Sequence, residues 1–280
     1  MKNISLIFIF IYIILVSYTS AGRTEAGNPE LDACLKLMNT GRVEEARKMI
    51  LQFRRTNPDN PLAVFYLARL EEDFARALAL YKEVELLAVQ LRSSQPDSAL
   101  AAEAVFAAAE LHFSAGKLTE ASDLYSHLLI SYPSSIFLSD ALYRLGVIDI
   151  YSGNTAEALA KFNACVDMNH RGAKRVLAAT GIMECYVMLK DWQKVLSTAR
   201  EVLDENDEGS AITPRVLEMI ARAWQELGND SNAAWYTERL LKNYPDSYQA
   251  HAIRESGNRI AHELSFSLDT QEAAKNRNAR

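Results

Sequence analysis

One spacing constrains this 280-residue chain more than any other feature: polar segments broken by proline recur at a fixed interval. Pro58 in "RRTNPDNP", Pro96 in "RSSQPDS", Pro133 in "ISYPSS" and Pro245 in "KNYPDS" each follow an amphipathic stretch. The gaps between them are 38, 37 and 112 residues, and the last is three periods of about 37. The two boundaries this predicts without proline fall on "DMNHRG", Asp167 to Gly172, and "DENDEG", Asp204 to Gly209. A period in this range marks a chain built by stacking copies of one supersecondary unit, none of which can bury its apolar face alone.

A second marker runs in phase with the first. Gly41, Gly116, Gly153 and Gly228 each precede an alanine by five positions: Ala46, Ala121, Ala158 and Ala233. Glycine suits the left-handed residue that ends a helix, and a small residue shortly afterwards lets the next helix approach the first closely. Four and seven positions beyond each alanine stand Ile50 and Phe53, Tyr125 and Leu128, Phe162 and Cys165, and Thr237 and Leu240. That stripe is the buried face of an antiparallel helix. The expected unit is therefore a helical hairpin.

At this point the chain resembles the tetratricopeptide repeat family. The match is best in "LSDALYRLGVIDIYSGNTAEALAKFNACVD", where Leu142, Leu145-Gly146, Gly153, Ala158 and Phe162 occupy the family's marked positions. The resemblance implies an all-α, right-handed solenoid of six hairpins, with units near 27–58, 59–96, 102–133, 139–170, 176–207 and 214–245. A helix over 247–264 would cap the stack, and 265–280 would be a tail. Two units depart from the pattern. At 176–207 the turn reads Lys190-Asp191 and Val195 replaces the alanine; at 59–96 there is no turn glycine, and a break near Asp73 is expected.

The amino terminus carries a different signal. Lys2 precedes an apolar run from Ile4 to Val16, short for a bilayer span of roughly 20 residues and suited to the core of a secretory signal. Thr19-Ser20-Ala21 before Gly22 fits cleavage after Ala21, giving residues 1–21 as a signal peptide and a periplasmic or secreted chain in a bacterial envelope. The alternative is an uncleaved anchor with Tyr12 and Tyr18 at the interface. The first cysteine, Cys34, is too far away for lipid attachment.

No catalytic, metal or cofactor pattern stands out. His112, His127, His170, His251 and His262 are scattered, and none has the partner spacing of a helical zinc motif. His112 is expected to pack rather than ligate. Cys165 and Cys185 fall on helices that neighbour each other in a hairpin stack; they form either a disulfide or two small core contacts. A formal charge of -6 weighs against a nucleic-acid partner, because phosphate binding needs a surplus of bases.

The family resemblance places the binding face on the first helix of each unit. It presents Phe106, Glu110 and Phe113 from the third unit, Tyr143, Val147, Ile150 and Tyr151 from the fourth, and Glu184, Val187 and Met188 from the fifth. The sixth turns charged, with Arg215, Glu218, Arg222, Gln225 and Glu226. The implied groove is aromatic and aliphatic with acids at its rim, suited to an apolar or amphipathic segment of a protein or peptide partner. Two other occupants remain open: the chain's own Leu264–Leu268, or packing of these side chains on one another. The function expected is a non-catalytic interaction scaffold of the cell envelope. Its alternatives are an accessory subunit of an envelope enzyme or assembly machine, and a carrier of a small hydrophobic ligand. Membrane association would come only through partners or an uncleaved leader.

Overall fold

A computed structural model describes residues 28–90, 95–205 and 210–256. The leader at 1–21, the end of the expected cap beyond 256 and the tail at 265–280 lie outside the described residues. Within them the chain is entirely helical: α1 Pro29–Asn39, α2 Val43–Thr56, α3 Pro61–Leu70, α4 Phe74–Gln90, α5 Gln95–Ser114, α6 Leu118–Ser131, α7 Leu138–Tyr151, α8 Thr155–Met168, α9 Ala173–Met188, α10 Trp192–Glu205, α11 Thr213–Glu226 and α12 Asp230–Asn243. Further helical turns follow at 248–256, and no described helix is long and apolar enough to cross a membrane.

Proline and asparagine start several of these helices. Asn28 and Asn60 cap α1 and α3 with their side chains, and Pro29 and Pro61 follow in the first turn, where the missing N–H loses no helical bond. Pro96 has the same placement, in the first turn of α5, so it opens a 20-residue helix rather than closing the unit before it. The second hairpin, which lacks a turn glycine, breaks at Glu71–Asp73. There Glu71 Oε1 accepts from the backbone N–H of Glu72 and Asp73, at 3.0 and 3.1 Å, and Asp73 Oδ1 accepts from Arg76 at 2.8 Å.

The remaining hairpin turns share one backbone geometry. Gly116 takes φ +71°, which lets the Lys117 N–H reach the His112 carbonyl at 2.9 Å and close the end of α5. The unit that departs from the pattern builds the same turn without glycine. Lys190 stands at φ +57°, and Asp191 N–H donates to the Tyr186 carbonyl at 2.9 Å. The sequence irregularity at 190 is thus carried as backbone strain in an unchanged turn.

Cα packing divides the chain into two compact units, one ending at Ile148 and the other beginning at Asp149, a boundary inside α7. In the first unit each helix α1 to α5 packs on its successor, α5 on α6, and the first helices α3 and α5 also meet. Its core joins Ile50, Tyr66 and Tyr81 in one cluster and Phe106, Tyr125 and Phe137 in a second. In the second unit α8 packs on α9, α9 on α10, α10 on α11 and α11 on α12, and the first helices α9 and α11 meet. Its core gathers Met183, Val195, Val202 and Val216. Phe162, fully buried, fits against Gly181, whose lack of a side chain makes room for the ring.

Candidate interaction surface

In the first unit the face at issue belongs to α5 and α7. Phe106, Glu110 and Phe113 follow one another at helical spacing on α5, but their fates differ. Phe106 is a core residue, stacked on Phe137 with centroids 4.9 Å apart and tilted against Tyr125 at 6.0 Å. Only 6% of it is exposed, so it leaves the set of surface contacts expected from sequence. The α5 helix turns that position inward because the loop before α7 lays Phe137 over it.

Glu110 is also buried, at 8% exposure. Its carboxylate accepts Arg144 Nε and Nη2 from α7 at 2.7 and 2.8 Å, a bidentate pair, and accepts the Tyr125 hydroxyl from α6. Burial, with this carboxylate next to it, pushes the Tyr125 hydroxyl far above the ordinary phenol range. Burial works against the Arg144 charge, and Glu110 more than offsets it. The guanidinium also lies 4.7 Å from the centroid of the half-buried Phe113 ring. Thus Glu110, read from sequence as a rim acid, is an internally neutralised strut, and Arg144 is the residue that sequence reasoning missed. It had one available signal: a base 34 residues after an acid, on the first helix of the following hairpin.

Around that strut Tyr143 and Val147 of α7 are half-buried. In the second unit Ile150 is half-buried and Tyr151 is 74% exposed. Glu184 on α9 repeats the theme of Glu110. It pairs with Arg215 Nε of α11 at 2.6 Å, and burial raises its carboxyl pKa despite that partner. Val187 packs beside the core and Met188 remains 46% exposed. The charged positions of the sixth unit line an open cleft of about 620 Å³, with Glu218, Arg222, Gln225 and Glu226 of α11 facing Ala233 and Thr237 of α12 and Ile253.

The cysteines and His112 do no surface work. Cys34, Cys165 and Cys185 are buried free thiols, so Cys165 and Cys185 stand as separate core contacts rather than a disulfide. Burial pushes Cys34 and Cys185 up to about 11. His112 meets the Phe74 ring edge-on at 5.4 Å, and burial lowers its pKa. Among the described residues no His, Cys, Asp and Glu side chains are grouped as metal ligands.

Consecutive hairpins, glycine turns and small residues at the helix crossings define a helical-repeat protein. Tetratricopeptide repeat models match residues 31–86, 71–136, 140–168 and 215–247, together more than half of the chain, and the chain belongs to that family. No curated protein matches it. Among solved structures it is similar to PilF of Pseudomonas aeruginosa, at 16% identity and TM-score 0.59, covering 81% of this chain and 96% of that one. It is also similar to PilW, at 15% identity and TM-score 0.60, covering 82% and 99%. A third is YrrB, at 19% identity and TM-score 0.55, covering 74% and 97%. These likenesses define the fold alone.

Proposed function

We propose that the chain is an exported, non-catalytic scaffold of the cell envelope that holds an apolar or amphipathic segment of a protein partner on its first-helix faces. The observation that carries this reading is the pairing of Glu110 with Arg144 beside the half-buried rings of Phe113 and Tyr143. A segment laid on that face covers aromatic surface without stranding a charge, since the nearest acid and base already neutralise each other. The export assignment rests on the apolar run Ile4–Val16 and the small residues Thr19-Ser20-Ala21. Among the fold relatives, YrrB is described as having an unusual peptide-binding site and PilW as a type IV pilus biogenesis factor, roles of the class proposed here.

The test is affinity purification of the chain from its native envelope, comparing wild type with Phe113→Ala/Tyr143→Ala/Tyr151→Ala. The expected result is one partner retained by wild type and lost by the folded triple variant; equal retention overturns the reading. Mass spectrometry of the mature amino terminus checks the export step, which requires a chain beginning at Gly22.

A further inference from the structure

The second helices α2, α6 and α8 are sealed along one register. Their small residues Ala46, Ala121 and Ala158 are fully buried, as are Ile50, Tyr125 and Phe162 four positions on. In α12 the same register gives Ala233 and Thr237, both half-exposed, while Leu240, the next residue of the stripe, is fully buried, so the open part is the first half of the helix. The α2 stripe is closed by the helix that follows it, α3. At α12 only Ile253 of the turns at 248–256 lines the corresponding cleft. A shallower hollow along α12 adds Asp230, Glu238, Leu241 and Lys242 to the same open face.

The walls carry an unbalanced charge. Glu218, Glu226, Asp230 and Glu238 surround the face, against Arg222 and Lys242. Arg222 lies 5.6 Å from the Trp192 ring, and none of the four carboxylates is ion-paired among the described residues. An occupant must therefore be apolar where it meets Ala233, Thr237 and Leu241, and basic where it meets the carboxylates.

We propose that this occupant is the chain's own carboxy-terminal segment, Leu264–Leu268 together with the basic residues that follow it. The segment offers Leu264, Phe266 and Leu268, then Asp269 and Glu272, and at its end the bases Lys275, Arg277 and Arg280, which outnumber those two acids. The chain continues for 24 residues beyond Ser256, directly from turns whose Ile253 already stands in the cleft wall. Leu264 lies eleven residues past Ile253, a tether reaching about 40 Å at most, so the segment arrives at high effective concentration. Any partner of the α11–α12 face must displace it, which makes the segment an internal competitor there. The inference does not depend on the partner reading, which concerns Phe113 and Tyr143.

Two measurements on the full chain test it. A photoreactive p-benzoylphenylalanine in place of Phe266 is expected to crosslink to residues of α11 or α12 within the same chain, at every protein concentration. Crosslinks between chains, crosslinks to another helix, or none overturn the proposal. In Leu264→Asp/Phe266→Asp, hydrogen exchange of the α12 amides from Ala233 to Leu241 is expected to accelerate about tenfold or more, with α1 to α6 unchanged. Unchanged exchange on α12 would overturn it as well.

Discussion

Replacing Gly181 with alanine puts the packing of the second unit to a quantitative test. A Cβ at 181 would lie 2.7 to 2.9 Å from Cζ, Cε1 and Cε2 of Phe162. To restore ordinary contact the ring must withdraw by about 0.7 Å, yet it is fully buried, and a close-packed interior gives little room. Two effects oppose each other. Alanine favours the α9 helix by about 1 kcal/mol over glycine, while overpacking a filled core costs about 1–3 kcal/mol. With the ring fully buried the steric term outweighs the helical gain, and Gly181→Ala is expected to destabilise by up to about 2 kcal/mol. Phe162→Leu alone is also expected to destabilise, but adding it to Gly181→Ala should cost less than the sum of the two, with a coupling of about 0.5–3 kcal/mol. Urea unfolding gives the global value, and hydrogen exchange of the α8 and α9 amides reports the local unit, which matters because stacked repeats can open separately. A Gly181→Ala chain more stable than wild type, or additive effects in the double variant, would refute the claim that ring and glycine are fitted to each other.

Lys190→Gly relieves a left-handed backbone at φ +57° and is expected to stabilise by about 1 kcal/mol in thermal unfolding; a loss of stability would mean the turn needs its side chain. Arg144→Ala strands the buried Glu110 and is expected to cost about 3–5 kcal/mol, most of it recovered in Arg144→Met/Glu110→Met. Equal losses in the single and double variants would refute this. Thiol titration should find three reactive groups after denaturation without reductant and slow reaction in the native chain, because burial keeps Cys34 and Cys185 protonated; one thiol would reveal a Cys165–Cys185 bridge. Burial raises the Glu184 carboxyl above its ordinary 4.5, so the folded chain holds the extra proton just above that pH and the group's contribution to stability falls as pH rises through the window. Glu184→Gln should therefore gain on wild type as pH rises above 4.5, and a constant difference would refute the shift.

What the sequence reveals and what it hides divide along a physical line. Periodicity reports which side of a helix a residue occupies, since 3.6 residues per turn is a local property. That is why Ala46, Ala121, Ala158 and Phe162 could be read as buried from spacing alone. Periodicity does not report what arrives from the next hairpin. Phe106 reads as surface until Phe137 is laid on it, and Glu110 reads as a rim acid until Arg144 and Tyr125 converge on it. Turn geometry is local too, but its sequence marker is only statistical, and Lys190 occupies the left-handed position without being glycine.

The two acids show how far a repeat constrains chemistry. Glu110 and Glu184 are 74 residues apart, two repeat periods, and each is neutralised by an arginine from the first helix of a later hairpin. The arginines are not in register with each other: Arg144 stands in the middle of α7 and Arg215 at the start of α11. The same electrostatic outcome is therefore reached through different geometry. A largely buried pair such as Glu110 and Arg144, 10% and 26% exposed, is strongly destabilising to break from one side, whereas the Glu184 pair, with Arg215 52% exposed, has water as an alternative partner. Substituting Arg215→Ala should consequently cost under about 1 kcal/mol, several-fold less than Arg144→Ala, when the two variants are compared by urea unfolding. Equal costs would mean that register along the repeat, rather than burial, sets the worth of these pairs.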